Sequence, residues 1–302
     1  MGLQLRDTDP PRAPQPASQL LKAVAPNFLI IGDLKAGSTS LYHYLRQHPE
    51  VYMPACKELR YFAYDPENPY HVRAATYPVK TLADYAHYFE KCGNARAIGE
   101  ASPNYLRSPG TARRIRAALP DAKLIACLRN PADTLYSGYM MHYRDGVTRK
   151  PFDEELFGRD AALVKACFYW LDLKQYYDRF PRSQIRIVLF DDLIADAPRV
   201  VKGLYRFIGV DDSFTPDFAV QNEGGMPRSR LLYQSLARGR ELLRRLGPAP
   251  EALKQLAKKI ERSQMRKTPL DPRIRRKILE ICEDDIRRTE ELIGRDLSSW
   301  LK

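Results

Sequence analysis

A short polar loop directly after an apolar run has the residue types of a phosphate-binding site. The loop DLKAGSTS covers residues 33–40 and follows the run NFLIIG at residues 27–32. Backbone N–H groups in a strand-to-helix turn, together with the unpaired N–H groups of the next helix, converge on an anion. An ammonium group and hydroxyl donors strengthen such a site. The residues predicted to contact the anion are Lys35, Ala36, Gly37, Ser38, Thr39 and Ser40.

The loop differs from the phosphate-binding loop of kinases and ATPases at one decisive position. The spacing from Gly32 to Gly37 matches G-x-x-x-x-G-K-[ST], but Ser38 stands where that motif has its lysine. In those enzymes the lysine and a magnesium-binding hydroxyl contact the terminal phosphates. The replacement favours a ligand that is bound without a metal ion. A nucleotide kinase with a degenerate loop is one alternative, and a tight turn with Ser38 as a helix cap is another.

One residue of the loop does not fit an anion site. Asp33 carries a negative charge, which lowers the affinity for an anion unless the side chain points away or pairs with a basic residue. The sequence does not identify such a partner.

A second possible anion site follows a later apolar run. The run KLIACLR ends in Arg129, whose guanidinium can bind a phosphate through two parallel hydrogen bonds. Ser137 lies on the following predicted helix, on the same face as Asn130 and Thr134. Taken singly, an arginine at a strand end usually pairs with an acid, and a serine within a helix bonds to its own turn. Their joint position beside the first loop favours a shared anionic ligand.

Four compact apolar runs predict short buried strands. They cover residues 27–32, 96–99, 123–129 and 185–190, and helical patterns separate them. Parallel strands covered on both faces have this continuous apolar character. We therefore expect a single α/β domain with a P-loop-like parallel sheet flanked by helices on both faces. Ligands of such sheets bind beyond the carboxyl ends of the strands, where the loop and the arginine lie.

Three predicted helices have clear boundary signals. Asn130 and Pro131 can cap and begin the first, and the second lies between Asp196 and Gly209. The third covers 272–294, because a proline can begin it and a glycine can end it. Its apolar positions recur at helical spacing, which indicates a helix packed against the core: Ile278, Cys282, Ile286 and Ile293.

The basic residues of the 302-residue chain are concentrated in its last quarter. The formal net charge is +12, and from Arg228 onward 20 Lys and Arg stand against 11 Asp and Glu. Such an excess indicates an anionic partner without identifying it. A non-catalytic polyanion-binding module is therefore a further alternative. Few aromatic residues are interleaved with these charges, so we expect no nucleic-acid partner.

Cysteine spacing and hydropathy predict a cytoplasmic protein. The five cysteines are scattered without C-x-x-C spacing, which favours reduced thiols and disfavours a structural zinc site. No apolar stretch approaches the roughly 20 residues of a membrane span. The proline-rich residues 1–22 are typical of a disordered leader, and residues 23–302 are predicted to form one domain.

Several motifs occur in an order that is typical of one enzyme family. LKAGSTSL resembles the family's 5′-phosphosulfate loop, and LRNPADTLYSGY resembles its 3′-phosphate motif. KELRYF at residues 57–62, GEASPNYL and LFDDLIADAP resemble three further elements. The family comprises the sulfotransferases that use 3′-phosphoadenosine 5′-phosphosulfate (PAPS), especially the branch with heparan sulfate sulfotransferases and many bacterial relatives. The resemblance spans about residues 27–301, which makes it far more specific than any single loop.

The resemblance implies transfer of a sulfuryl group from PAPS to a hydroxyl group. Lys35 would stabilise charge on the leaving phosphate oxygen. Arg129 and Ser137 would hold the 3′-phosphate. Glu58 would act as the general base that takes the proton of the acceptor hydroxyl. Lys35 and Glu58 are thus the predicted catalytic residues.

The resemblance also implies contacts around this centre. Lys57 and Glu100 are predicted to contact the substrate, and Arg266 and Lys267 to lie in a basic loop that closes over the phosphates. Some glycosaminoglycan relatives carry a lysine where this chain has Ala101, so their acceptor contacts do not transfer. A carbohydrate or a hydroxylated small molecule is the expected acceptor, and no metal is expected.

Overall fold

Short apolar segments form a five-stranded parallel sheet. The computed structural model describes residues 26–157, 168–219, 226–227, 235, 265–266 and 268–302. Within them the strands lie in the order β2-β3-β1-β4-β5, and each neighbouring pair is parallel. The strands are β1 (Phe28–Gly32), β2 (Val51–Tyr52), β3 (Ala97–Ala101), β4 (Lys123–Leu128) and β5 (Ile185–Leu189).

Four of these strands confirm the sequence prediction, and the fifth was not predicted. Strand β2 has two residues and pairs with β3 through Val51 and Ala97 at the edge of the sheet. A segment of this length is too short to show an apolar pattern. It owes its strand conformation to the edge of β3, which offers it backbone partners.

Ten helices of five or more residues occur in the described part of the chain. Two of the predicted starts are confirmed by side-chain caps, since Asn130 accepts from the N–H of Ala132 and Asp196 accepts from the N–H of Arg199. The helices are α1 (Ser38–Leu45), α2 (Pro69–Arg73), α3 (Leu82–His87), α4 (Thr111–Ala118), α5 (Pro131–Asp145), α6 (Phe152–Phe157), α7 (Trp170–Tyr177), α8 (Phe190–Ala195), α9 (Ala197–Ile208) and α10 (Pro272–Ile293).

Helices cover both faces of the sheet. Side chains of a strand alternate between its faces, so Leu29 and Ile31 of β1 pack with α4, α5, α7 and α10. Phe28 and Ile30 point to the opposite face and pack with α1 and α9. All four side chains are fully buried. This arrangement confirms the predicted α/β fold with a parallel sheet between two helical layers.

The order of the strands brings four loops together at one edge. Strands β3, β1, β4 and β5 are neighbours, and parallel strands all end at the same side of the sheet. The segments that begin at Ser102, Asp33, Arg129 and Phe190 therefore start side by side. These segments contain most of the residues that the sequence predicts to be functional.

Two features lie outside the central sheet. Strands β6 (Met226–Pro227) and β7 (Met265–Arg266) form a small antiparallel pair. Among the helices that the structure describes, none has the length and apolar character needed to cross a membrane. The predicted leader at residues 1–22 lies outside the described residues.

Candidate active site

The loop after β1 turns sharply into helix α1. Gly37 has a φ of 94°, a left-handed conformation that residues with a Cβ atom rarely adopt. A Cβ atom here would come within 2.9 Å of Leu193 and 3.1 Å of Phe190, so the turn also packs closely against α8. Ser38 begins α1, and no side chain of the described residues caps the start of this helix. The first N–H groups of α1 are therefore available to an anion.

Lys35 lies in the same loop, with a left-handed φ of 65°. Its Nζ lies 3.9 Å from the sulfur of Met141 on α5. Burial lowers the pKa of Lys35, and the positive charges of Arg144 and Arg129 lower it further. Strained backbone and clustered like charges are both common at functional sites, and this cluster is suited to an anion.

Arg129 connects the end of β4 to this loop. Its Nη1 donates to the backbone oxygen of Lys35 at 3.1 Å, so the two predicted anion-binding residues are adjacent. The guanidinium carbon lies 4.4 Å from the ring centre of Phe190, which holds the guanidinium by a cation–π contact. Burial lowers the pKa of Arg129. The group nevertheless remains charged, because an arginine does not lose its proton in a protein.

Ser137 lies near the end of the second turn of α5 and is half-buried. The start of this helix is held firmly, because the Asn130 side chain caps it and also donates to the backbone oxygen of Trp300 at 3.0 Å. Thr134, one turn before Ser137, is buried. Of the three polar residues on this face, Ser137 therefore has the most surface available to a ligand.

A second strained turn carries the predicted general base. Glu58 and Arg60 have φ values of 67° and 58°, which are left-handed conformations. The Glu58 carboxylate is 28% exposed and pairs with Lys57 at 2.8 Å and with Arg60. Burial by itself would raise the pKa of Glu58, but the two cations outweigh it and lower the pKa from its usual 4.5. Glu58 is therefore ionised at neutral pH.

The turn with Glu58 lies beside the loop with Lys35. The N–H of Glu58 donates at 3.0 Å to the backbone oxygen of Ala101, the last residue of β3, and β3 is a neighbour of β1. The charge of Lys57 also contributes to the lowered pKa of Lys35. The two predicted catalytic residues thus lie at the same edge of the sheet.

Glu100 is buried inside the protein. It is 1% exposed, and its carboxylate accepts hydrogen bonds from the hydroxyl groups of Tyr85, Ser102 and Tyr105. This geometry disagrees with the predicted contact between Glu100 and a substrate, since the carboxylate has almost no surface that a substrate could reach. The first residues after β3 fold back over the carboxylate, since Ser102 and Tyr105 both bond to it.

Comparison with known proteins decides the family. The model of the sulfotransferase family matches residues 26–216, which contain the whole parallel sheet. The chain belongs to the sulfotransferase family. Lys35, Glu58 and Arg129 all lie within the matched region of this sulfotransferase.

Individual relatives agree with this assignment. The membrane-associated sulfotransferase kil1 of Dictyostelium discoideum is 38% identical over 117 residues, which are 38% of this chain and 22% of that protein. The bifunctional heparan sulfate N-deacetylase/N-sulfotransferase 1 of Mus musculus is 32% identical over 208 residues, which are 61% of this chain and 22% of that protein. The sulfotransferase chain thus spans about 22% of the length of these curated relatives.

A solved structure supports the fold along nearly the whole chain. The crystal structure of a sulfotransferase from Alicyclobacillus acidocaldarius superposes with a TM-score of 0.71 and 29% sequence identity. The match covers 92% of this chain and 99% of that chain. The parallel sheet with helices on both faces is therefore the fold of a sulfotransferase domain.

The structure explains the acid in the anion-binding loop of this sulfotransferase. Asp33 is 1% exposed and pairs with Arg107, which donates to both carboxylate oxygens at 2.9 and 2.7 Å. Arg107 also donates to Asp172 at 3.3 Å and lies over the ring of Tyr169. The Tyr169 hydroxyl in turn donates to the backbone oxygen of Arg129 at 3.0 Å. Asp33 is thus neutralised within a network that connects the two anion-binding segments.

Replacing Arg107 with methionine is expected to lower the free energy of unfolding by about 3 kcal/mol, because it leaves the buried Asp33 carboxylate without its cation. Urea denaturation measures this loss. Arg113→Met is the matched control, since Arg113 is exposed on the neighbouring helix α4 and its loss is expected to cost less than about 0.5 kcal/mol. Equal free energies of unfolding in the two variants would show that the Asp33–Arg107 pair does not stabilise the fold.

The predicted basic loop near the C-terminus is only partly described. The backbone of Arg266 pairs with Met226 in the small antiparallel sheet. The side chain of Arg266 and the whole of Lys267 lie outside the described residues, so their contact with phosphates stays a prediction. Within the described ranges, no three His, Cys, Asp or Glu side chains are grouped in a way that could hold a metal ion.

Sequence reasoning missed three residues that hold Arg129 and its neighbour Asn130 in this sulfotransferase. Phe190 lies under its guanidinium, and Tyr169 bonds its backbone oxygen. Trp300 receives a hydrogen bond from Asn130 and donates from its indole to Asp191 at 2.8 Å. Phe190 could have been found, because it is the first residue after β5 at the edge where ligands bind. Tyr169 and Trp300 carry no comparable local signal.

Proposed function

We propose that this sulfotransferase transfers a sulfuryl group from PAPS to a hydroxyl group, with Glu58 as the general base. The observation that carries the proposal is the adjacency of Lys35 and Arg129, whose segments meet through a 3.1 Å hydrogen bond. PAPS presents two anionic groups, a 5′-phosphosulfate and a 3′-phosphate. Two cations on neighbouring strand ends match a donor of this kind.

Each group of the donor has residues that fit it. The uncapped N–H groups at the start of α1 and the ammonium of Lys35 fit the 5′-phosphosulfate. Arg129 fits the 3′-phosphate, because Phe190 fixes the guanidinium plane and leaves its edge as a hydrogen-bond donor. Ser137 offers a hydroxyl on the helix that begins beside Arg129.

The chemistry follows from the charges at the site. Glu58 accepts the proton of the acceptor hydroxyl while the oxygen of that hydroxyl bonds to sulfur. The bond between sulfur and the bridging phosphate oxygen breaks, and its electron pair stays on that oxygen. Lys35 stabilises the negative charge that develops there. The products are a sulfate ester and adenosine 3′,5′-bisphosphate, and Glu58 then releases its proton to water.

The acceptor is proposed to be a carbohydrate or a hydroxylated small molecule. A carboxylate base suits an aliphatic hydroxyl. The name of one relative, the mouse heparan sulfate N-deacetylase/N-sulfotransferase described above, supports a carbohydrate as the acceptor class. A panel of monosaccharides, polysaccharides, phenols and primary alcohols, assayed with PAPS, would identify the class. A cytoplasmic location remains a proposal that rests on cysteine spacing.

Calorimetric titration with adenosine 3′,5′-bisphosphate tests the donor site. We expect binding that does not require magnesium and that exceeds the binding of ADP at least tenfold, because ADP lacks the 3′-phosphate. Arg129→Ala is expected to weaken adenosine 3′,5′-bisphosphate about 10- to 100-fold, in keeping with the loss of charged hydrogen bonds. The affinity of the same variant for AMP should change less than threefold.

A matched control separates this effect from a general loss of positive charge. Arg199→Ala removes an exposed arginine of α9 that pairs with Asp196, and it should leave both affinities unchanged. Preferential binding of ADP by the wild-type protein, or magnesium-dependent turnover of ATP, would contradict the proposal and favour a nucleotide kinase.

A further inference from the structure

Three backbone N–H groups attach the turn that carries Glu58 to the end of β3 and to the segment that follows it. The N–H of Glu58 donates to the backbone oxygen of Ala101 at 3.0 Å. The N–H of Arg60 donates to the Ser102 hydroxyl oxygen at 3.0 Å, and the N–H of Phe62 donates to the Tyr105 hydroxyl oxygen at 3.3 Å. Two of the three attachments are thus made to side-chain hydroxyls.

The turn needs such attachments because its own backbone is strained. Glu58 and Arg60 both hold left-handed φ values, which cost of order 1 kcal/mol or more for residues with a Cβ atom. Contacts from outside the turn must offset this cost. Any group that strengthens the hydroxyl attachments therefore also fixes the position of the Glu58 carboxylate.

Glu100 is the group that both hydroxyls share. Its Oε2 accepts from Ser102 at 2.9 Å, and its Oε1 accepts from Tyr105 and, at 3.1 Å, from Tyr85. An ionised carboxylate accommodates three donors best, because it offers acceptors alone, whereas a protonated carboxyl group adds a hydrogen of its own. Ser102, Tyr105 and Glu100 are each 1% exposed or less, so water does not compete for these bonds.

The direction of these bonds determines what the hydroxyls can do. A hydroxyl has one hydrogen and two lone pairs, and it rotates to suit its neighbours. When its hydrogen points to Glu100, its lone pairs face the N–H groups of Arg60 and Phe62. Without the carboxylate, the hydrogen of either hydroxyl would be free to point elsewhere, and the acceptor for the N–H group would no longer be fixed.

We propose that Glu100 is a positioning residue for Glu58, which it holds in place by orienting the Ser102 and Tyr105 hydroxyls toward the backbone of the turn. Glu100 touches neither donor nor acceptor. The proposal rests on the proposed function of Glu58 as the base, but the attachment of the turn can be measured independently of catalysis.

The surroundings of Glu100 make the attachment of the Glu58 turn sensitive to pH. Its titratable neighbours are Tyr85 on α3 and Tyr105 after β3, and the paired residue on β1 is Leu29. None of these described partners is a cation, so none offsets the negative charge of Glu100. Burial raises the pKa of Glu100 to about 7, although the three hydroxyl bonds lower it in part. As the pH falls through about 7, Glu100 takes up a proton and becomes a donor. One hydroxyl then loses its acceptor, so its bond to the turn weakens.

Three variants test the proposal. Glu100→Gln keeps the shape of the side chain but cannot ionise, and Ser102→Ala removes one attachment while leaving Glu100 in place. Tyr85→Phe is the matched control, because Tyr85 donates to Glu100 without any described hydrogen bond to the turn. Hydrogen–deuterium exchange at the amides of Arg60 and Phe62 reports the attachments and requires no acceptor. Turnover is measured with PAPS and the best acceptor of the hydroxyl panel.

We expect the Arg60 amide to exchange about tenfold faster in Glu100→Gln and in Ser102→Ala, and less than threefold faster in Tyr85→Phe. We expect kcat to fall about tenfold in the first two variants, with unchanged affinity for adenosine 3′,5′-bisphosphate. In the wild type, kcat should decline as the pH is lowered from 8 to 6, and this decline should be absent in Glu100→Gln. If Glu100 only stabilised the fold, Glu100→Gln would still show the decline of kcat between pH 8 and pH 6.

The outcomes separate the inference from the function on which it rests. Unchanged amide exchange in Glu100→Gln and Ser102→Ala would overturn the inference, even if Glu58 proved essential. Faster exchange without any change in kcat or in the pH profile would also overturn it, provided that Glu58→Gln is inactive. If Glu58→Gln retained full turnover, Glu58 would not be the general base. The inference about Glu100 would then fail as well, whatever the rates of amide exchange.

Discussion

Replacing Glu58 with glutamine is expected to lower kcat about 100-fold or more, which is the typical contribution of a general base. Glutamine has nearly the same shape and can still accept a hydrogen bond from one of the two cations through its carbonyl oxygen, but it cannot take a proton. Because Glu58 is not needed to hold the donor, the affinity for adenosine 3′,5′-bisphosphate should change less than threefold. Steady-state kinetics with PAPS and calorimetry measure the two quantities.

The pH of the assay does not obscure this comparison. The two cations lower the pKa of Glu58 from 4.5, so the wild-type carboxylate is ionised at pH 7 and loses its role as a base only when the pH falls below 4.5. Glu67→Gln is the matched control, since Glu67 is an exposed acid in the segment that follows the turn. Near-normal kcat in Glu58→Gln would remove Glu58 from the mechanism.

The ion pairs of Glu58 also limit its strength as a base. A carboxylate that two cations stabilise is a weaker proton acceptor than a free one. Lys57 pairs with the proposed base, and its charge also helps to lower the pKa of Lys35 at the proposed donor site. An anionic donor would draw Lys57 toward itself. This competition would raise the basicity of Glu58 when the donor is bound.

Local sequence signals were enough to predict the central sheet and the loop after β1. Apolar runs set the four longer strands, and the succession of small and hydroxyl residues after β1 reflects a turn in which Gly37 has a positive φ. These features depend on neighbours in the sequence. The two-residue strand β2 does not, because it forms only against the edge of β3.

Contacts between segments that are distant along the chain could not be predicted from the sequence. Asp33 and Arg107 are 74 positions apart, so nothing in the loop reveals that its acid is neutralised. Glu100 was predicted to contact the substrate, yet three hydroxyls from two segments enclose it. Residue type and strand position show which side chains could take part in chemistry. Burial, which decides whether they can reach a ligand, depends on the folded chain.

Replacing Lys35 with alanine is expected to lower kcat about 100- to 1,000-fold, which is the usual cost of removing one group that stabilises charge in a transition state. The affinity for adenosine 3′,5′-bisphosphate should fall much less, by about tenfold at most. Negative charge on the bridging oxygen grows as the bond to sulfur breaks, so the ammonium contributes more to the transition state than to ground-state binding. Single-turnover kinetics with saturating PAPS separates the two effects.

The design of this experiment follows from the surroundings of Lys35. The backbone oxygen of Lys35 receives the hydrogen bond from Arg129, and this bond does not depend on the lysine side chain, so the substitution should leave the two segments joined. Lys174→Ala, which removes an exposed lysine on α7, controls for the loss of one positive charge. A loss of donor affinity with unchanged kcat at saturating PAPS would show that Lys35 binds the ground state and the transition state equally well. Charge stabilisation during sulfuryl transfer would then have to come from the N–H groups of α1.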